Sequence, residues 1–135
     1  MSKVVIFLNQ MRWKIKDSIF DFKMRRQRFK RGYADKDWWN MDVWFCKIIK
    51  PMLETLRDHT HSYPNEFESF DEWKKILNEM IYYADNMDIE KATDKFFKMK
   101  PIGSYENYKA LSEEITFNKE KFFTLFSKYF YDLWD

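Results

Sequence analysis

The chain has 135 residues, 45% of them apolar and 21% aromatic, with a net charge of +2, two glycines, three prolines and one cysteine. That length supports one core without metal or disulfide staples, and so few Gly and Pro cannot supply the tight turns of a sandwich or barrel. The expectation is an all-α fold: a single helical domain over residues 1–135, a compact bundle of four to five helices with a long basic first helix and an aromatic-rich core.

From Phe7 to Lys30 the apolar residues Phe7, Met11, Ile15, Ile19, Phe22 and Phe29 recur mostly three or four apart, with Trp13 and Phe20 broadening the stripe, so one long amphipathic helix is expected. Its outer face is basic. Residues 1–31 hold ten Lys/Arg against Asp17 and Asp21, a balance of +8, which leaves fourteen against twenty, or −6, for the remainder. A basic arm on an acidic body can hold a phosphate-bearing partner, or it can dock on its own body or a neighbouring subunit. Gly32, after a last turn rich in Arg and Lys, is expected to end this helix at Arg31. The apolar run Val4–Leu8 is far short of the about 20 residues that cross a bilayer and lacks a secretory cleavage pattern, so no membrane partner is expected and the mature protein is expected to be the whole chain.

A second helix is expected to begin at Asp35 or Asp37, either able to cap the first turn, with Met41, Phe45, Ile48, Met52 and Leu56 as its stripe. Pro51 cannot donate to the carbonyl of Lys47, which predicts a kink or a one-turn interruption. Cys46 has no partner for an intramolecular disulfide and sits in this apolar run, so a buried, reduced thiol and an intracellular setting are expected. Residues 59–68 read as a loop turning at Pro64 and Asn65. Ser69 and Glu72 form a capping box for a third helix whose buried stripe is Phe70, Trp73, Ile76, Leu77, Met80, Ile81 and Ala84. Asp88 caps a short helix through Lys98, Pro101 and Gly103 break the chain, and residues 104–134 are helical again, with Phe122, Phe126, Tyr129 and Leu133 along one side. Thr116–Asn118 leaves open whether that last segment is one helix or two.

The stretches "WNMDVWFCKIIKPMLETL", "YP", "DEWKKILNEMIYYA" and "LFSKYFYDLWD" together resemble a family of small, mostly uncharacterised helical proteins of bacteriophages and prophages. Its members read W-N-L-D with a K-I-I/L-x-P-x-L continuation, an E-E-W-D-E-I-L-D-K-M-I helix and a K-Y-F-x-x-L-W-D ending. The resemblance covers Trp39 to Ala84 and Phe123 to Asp135; Met41 stands where Leu is usual. It implies a phage origin, a helical fold and a place in the cytoplasm of the infected bacterial host, and it carries no activity and no functional residues to transfer. Small phage accessory proteins often act against host defence, by masking a host protein or by sequestering a nucleotide signal.

No catalytic or metal-binding signature is present, so the protein is expected not to be an enzyme and to need no cofactor and no metal. His59 and His61 form an H-x-H without further ligands, and Glu113 with Glu114 or Asp71 with Glu72 do not face each other on a helix. The basic arm interleaves cations with rings, which suits an anionic, base-bearing ligand: Arg12, Trp13, Arg25, Arg26, Arg28, Arg31 and Tyr33 are its candidate residues. The same pattern is also the wet face of an amphipathic helix. Asp42 has Trp38, Phe45 and Cys46 at helical spacing, so it is expected either to be a buried carboxylate bonded to an indole N–H or to an Arg of the first helix, or to recognise ligand in a pocket with Trp38 or Trp39. The function so read is a non-enzymatic, homo-oligomeric counter-defence protein that sequesters a nucleotide-type small anion. The alternatives are an inhibitor masking a host defence protein, and a DNA- or RNA-binding protein using the basic helix.

Overall fold

The computed structural model of the chain describes residues 3–99 and 105–135. Among them are six α-helices and one 3-10 turn, and no strand: α1 (Lys3–Arg31), α2 (Asp35–Trp39), α3 (Met41–His59), α4 (Phe70–Met87), α5 (Ile89–Met99), α6 (Tyr105–Lys128) and a turn over Phe130–Asp132. The fold is all-α. Where the sequence suggested one domain, the chain divides into two compact units, Met1–Met41 and Asp42–Asp135.

In the first unit α1 ends where the Arg-rich last turn meets Gly32, whose φ of 84° is the left-handed value that closes a helix at no Cβ cost, and whose amide bonds the carbonyl of Arg28 at 2.9 Å. The second predicted helix is split in two, because Asn40 leaves the helical region at φ −134° and ψ 68°. Neither Asp35 nor Asp37 is the N-cap. That position is Ala34, and Asp37, three residues on, reaches back to accept from the Ala34 amide at 2.7 Å, which is the reverse half of a capping box.

The second unit holds the main core. Trp73, Leu77, Met80, Ile81, Ala84 and Met87 of α4 meet Ile49 and Leu53 of α3 and Phe122 of α6, with Tyr129 beyond it. Trp73 and Phe122 are both 0% exposed. Phe45 lies among Phe122, Phe123 and Phe126, with ring centroids 5.8–6.1 Å apart. Phe67, Trp73 and Tyr129 form a second ring cluster. These offset and edge-to-face arrangements place the positive edge of one ring on the negative face of the next. The aromatic-rich core is therefore borne out.

The caps follow the sequence closely. Ser69 Oγ accepts from the Glu72 amide at 3.4 Å, although Glu72 reaches back to the amide of Glu68 rather than Ser69. Asp88 accepts from the amides of Glu90 and Lys91 and starts α5. The Pro64 carbonyl accepts from the Phe67 amide at 3.0 Å, making the turn expected there. Helix α6 runs unbroken through Thr116–Asn118, where buried Asn118 donates its side-chain amide to the Glu114 carbonyl one turn back. The expected break at Pro101 and Gly103 lies outside the described residues.

Helix α3 continues without interruption through Pro51, which is exposed. The Lys47 carbonyl still loses its amide donor, so the proline is a cost carried by an intact helix. Pro51→Ala is expected to stabilise the second unit by about 1–2 kcal/mol, part of the usual difference between Pro and Ala inside a helix. Urea unfolding followed by circular dichroism checks this, and a lower midpoint would mean that the ring packs against something its replacement loses.

Candidate binding surface on the first helix

An α-helix turns about 100° per residue, so Leu8, Met11, Ile15, Ile19, Phe22 and Phe29 fall within about a quarter of the circumference of α1. All six are exposed, Phe22 at 70% and Phe29 at 92%. In total twelve large apolar residues of α1 are exposed, and Met24 alone among its residues is buried. Ser18, small and at the edge of the stripe, leaves a shallow notch with Ile15, Ile19, Phe22 and Lys14. A helix face of this kind, uncovered over about 30 Å, has the i, i+4, i+7 anchor spacing of helices that lie in a groove of another protein.

The opposite side of α1 carries Met24, Gln27, Arg28 and Arg31, and here α2 packs back. Arg28 donates from Nε at 2.9 Å and from a terminal nitrogen at 2.7 Å to the two oxygens of Asp37, a forked pair. Gln27 donates to Asp35 at 2.6 Å and accepts from the Asp35 amide at 2.8 Å. Arg31 pairs with Asp35, donates to the Tyr33 carbonyl at 3.0 Å and lies 4.5 Å from the Tyr33 ring centroid.

Two of the five arginines expected to meet phosphate, Arg28 and Arg31, are thus committed to carboxylates of their own unit. Arg25 and Arg26 are also exposed, about 100° from one another rather than converging: Arg26 falls within the apolar stripe, about five turns from Leu8, and Arg25 flanks it. Arg12 is exposed along the other edge of the stripe, with Lys16, Lys23 and Lys30. Trp13 is exposed beneath the ammonium of Lys16 at 5.4 Å. Trp38 and Trp39 are exposed and meet edge to face, their centroids 6.2 Å apart. The structure brings Arg28, Arg31 and Tyr33 together around α2, and does not gather Arg12, Arg25 and Arg26 with them into one anion cradle.

Asp42 corrects a further expectation. It is exposed in the first turn of α3, where a carboxylate faces the positive end of the helix dipole, and it is not a buried acceptor. The buried carboxylate joined to an arginine of the first helix is Asp37, 5% exposed. The signal that could have found it is the Ala34-x-x-Asp37 spacing of a reversed capping box, together with an Arg one turn before the Gly32 stop.

The fork to Arg28 and the Ala34 amide hold the Asp37 carboxyl below the ordinary carboxylate range, against the opposing effect of burial. A folded pKa below the unfolded value gives stability that is present above about pH 4 and is lost as pH falls through the depressed folded value. Hydrogen exchange at the amides of residues 34–37 should therefore gain protection-breaking openings on acidification below about pH 4, and Asp37→Asn should show the same openings at neutral pH. Equal protection in Asp37→Asn would remove the clamp from the account.

In the second unit, burial and the neighbouring Asp88 and Asp42 push the Cys46 thiol up to about 11. Its thiolate population near pH 8 is then on the order of 100-fold below that of a free cysteine, so alkylation by iodoacetamide should be slow until denaturant is added. Cys46 is half-buried rather than buried, and it packs against the edge of the core. His59 Nδ1 lies 2.9 Å from the Thr55 carbonyl and His61 Nδ1 lies 3.3 Å from Asp135, whose side chain also accepts from the His61 amide. No group of three or more potential metal ligands occurs among the described residues. No helix among the described residues is long and apolar enough to cross a membrane.

Comparison with protein-family models, with curated proteins and with solved structures finds no match to this chain.

Proposed function

We propose that the protein is a non-enzymatic binding protein of phage origin that blocks a protein of the bacterial host by inserting α1 into a groove on it. The observation that carries this reading is the uncovered stripe Leu8–Met11–Ile15–Ile19–Phe22–Phe29, because an apolar helix face left in water is a docking surface awaiting a partner. Arg25 and Lys14 flank the stripe, Arg26 lies within it, and together they select for a groove with acidic edges. The phage setting, the counter-defence role and the host cytoplasm rest on the resemblance at Trp39–Ala84 and Phe123–Asp135.

Sequestration of a nucleotide-type anion is the second reading, supported by exposed Arg12, Arg25, Arg26 and Trp13. It is weaker than the first because Arg28 and Arg31 already have carboxylate partners. DNA or RNA binding draws on the same cations and is weakened in the same way.

The test is capture from host cells with two variants compared against wild type. A single host protein, identified by mass spectrometry, should be lost with Ile15→Asp/Phe22→Asp and still captured, though more weakly, with Arg12→Glu/Arg25→Glu. Loss of a nucleotide or nucleic acid with the second variant, and no host protein lost with the first, would reverse the order of the readings.

A further inference from the structure

The second unit presents a surface complementary to α1. Between α3 and the end of α6 runs an open groove of about 690 Å³ lined mainly by Leu53, Leu56, Met52, Phe126, Phe130 and Leu133. Its floor is apolar, Asp135 stands at its edge, and among the described residues no Lys or Arg lines it. Met52 and Phe130 are exposed there, so the groove offers anchors and not only a hollow. Residues 42–135 carry thirteen Lys/Arg against eighteen Asp/Glu, a net −5, while residues 1–41 carry eleven against four, a net +7. One chain therefore contains both a basic amphipathic helix without cover and an apolar groove on an acidic body.

Pairing α1 with α1 of another copy would bring two strongly basic helices together along their whole length, and Arg26 within the stripe and Arg25 beside it would face like charges. Pairing α1 of one copy with the groove of another removes that repulsion and matches opposite charge. Each copy has one helix and one groove, so a reciprocal contact between two copies would leave neither a helix nor a groove over.

We propose that a second copy of this chain occupies the groove: α1 of each protomer lies across Met52, Leu56, Phe126 and Phe130 of its partner, giving a closed dimer with exchanged first helices. The notch at Ser18, between Ile15 and Phe22, receives one of the groove's projecting side chains. The inference rests on α1 being the docking element of the function proposed above, and it adds that the stripe is covered by self-association until a target competes for it.

Sedimentation analysis of the full chain and of two double variants tests this. Wild type should be a dimer. Ile15→Asp/Phe22→Asp damages the helix and Met52→Asp/Phe130→Asp damages the groove, all four at exposed positions, and each variant alone should weaken dimerisation more than 100-fold with an unchanged circular dichroism spectrum. An equimolar mixture should dimerise again, because an intact helix from the groove variant meets an intact groove from the helix variant. A monomeric wild type overturns the proposal. A groove variant that still dimerises, or a mixture that stays monomeric, also overturns it, the former by pointing to helix-on-helix pairing. Capture of the host protein by the groove variant separates the two ideas: if it persists while dimerisation fails to follow the complementation pattern, only the exchange is wrong.

Discussion

Ile15→Asp combined with Phe22→Asp should weaken capture of the host protein by on the order of 100- to 1,000-fold, since each central apolar anchor of an interface is worth about 2 kcal/mol or more. Both side chains are exposed in the protomer, so neither substitution removes a packing contact within it, and the unfolding midpoint, measured at concentrations where both proteins are monomeric, should stay within a few degrees of wild type. The combination of lost binding and kept stability is what distinguishes a docking stripe from a core stripe. An isothermal titration showing undiminished affinity for the captured protein would take α1 out of the site altogether. Arg28→Glu provides the contrast: it breaks the fork to Asp37 and should loosen α2, so any effect on binding would come through a disordered first unit and not through a missing anion contact.

The second large effect is expected in the other unit. Phe122→Ala should destabilise residues 42–135 by about 3–5 kcal/mol, the usual range for deleting a buried ring. Phe122 is fully buried and stacks with Phe126 at 5.3 Å, while Phe45 and Phe123 meet it edge-on, so its removal leaves a cavity among rings that cannot collapse without losing their own geometry. In a unit of this size each kcal/mol moves the midpoint by about 4–8 °C, so the variant should melt at least about 12 °C lower. Phe29→Ala, at a position 92% exposed, should leave the midpoint unchanged. If the two alanine variants melted alike, the division between a buried ring cluster and an uncovered stripe would be wrong. The pair of measurements needs no ligand and can be made by differential scanning calorimetry.

Much of the local structure was legible because its causes are local. The end of α1 at Arg31, the Ser69 cap of α4, the Asp88 cap of α5 and the buried stripe from Trp73 to Ala84 each depend on residues within about four positions of one another, and spacing alone reveals them. The split at Asn40 was not legible. Its neighbours Trp39 and Met41 both fit a continuous apolar period, and the break depends on α2 being held back against α1 by Arg28 and Gln27, eight or nine residues upstream. The candidate site fared less evenly. Trp38, Trp39, Tyr33, Arg12, Arg25 and Arg26 are on the surface, as a binding role needs, but Asp42 exchanged places with Asp37, and Arg28 and Arg31 turned inward to carboxylates.

The sequence by itself determined that this chain is helical, where α1 ends, where α4 and α5 are capped, and that α1 and α4 each have one apolar face, because periodicity and capping are properties of a single stretch of backbone. Only the tertiary structure decided which of those two faces is covered. The stripes Met11–Ile15–Ile19–Phe22 and Trp73–Leu77–Met80–Ala84 have the same spacing, yet the second is buried by α3 and α6 and the first is open. Periodicity records that a face avoids water, and it contains no information about which surface, of the same chain or another, removes the water from it.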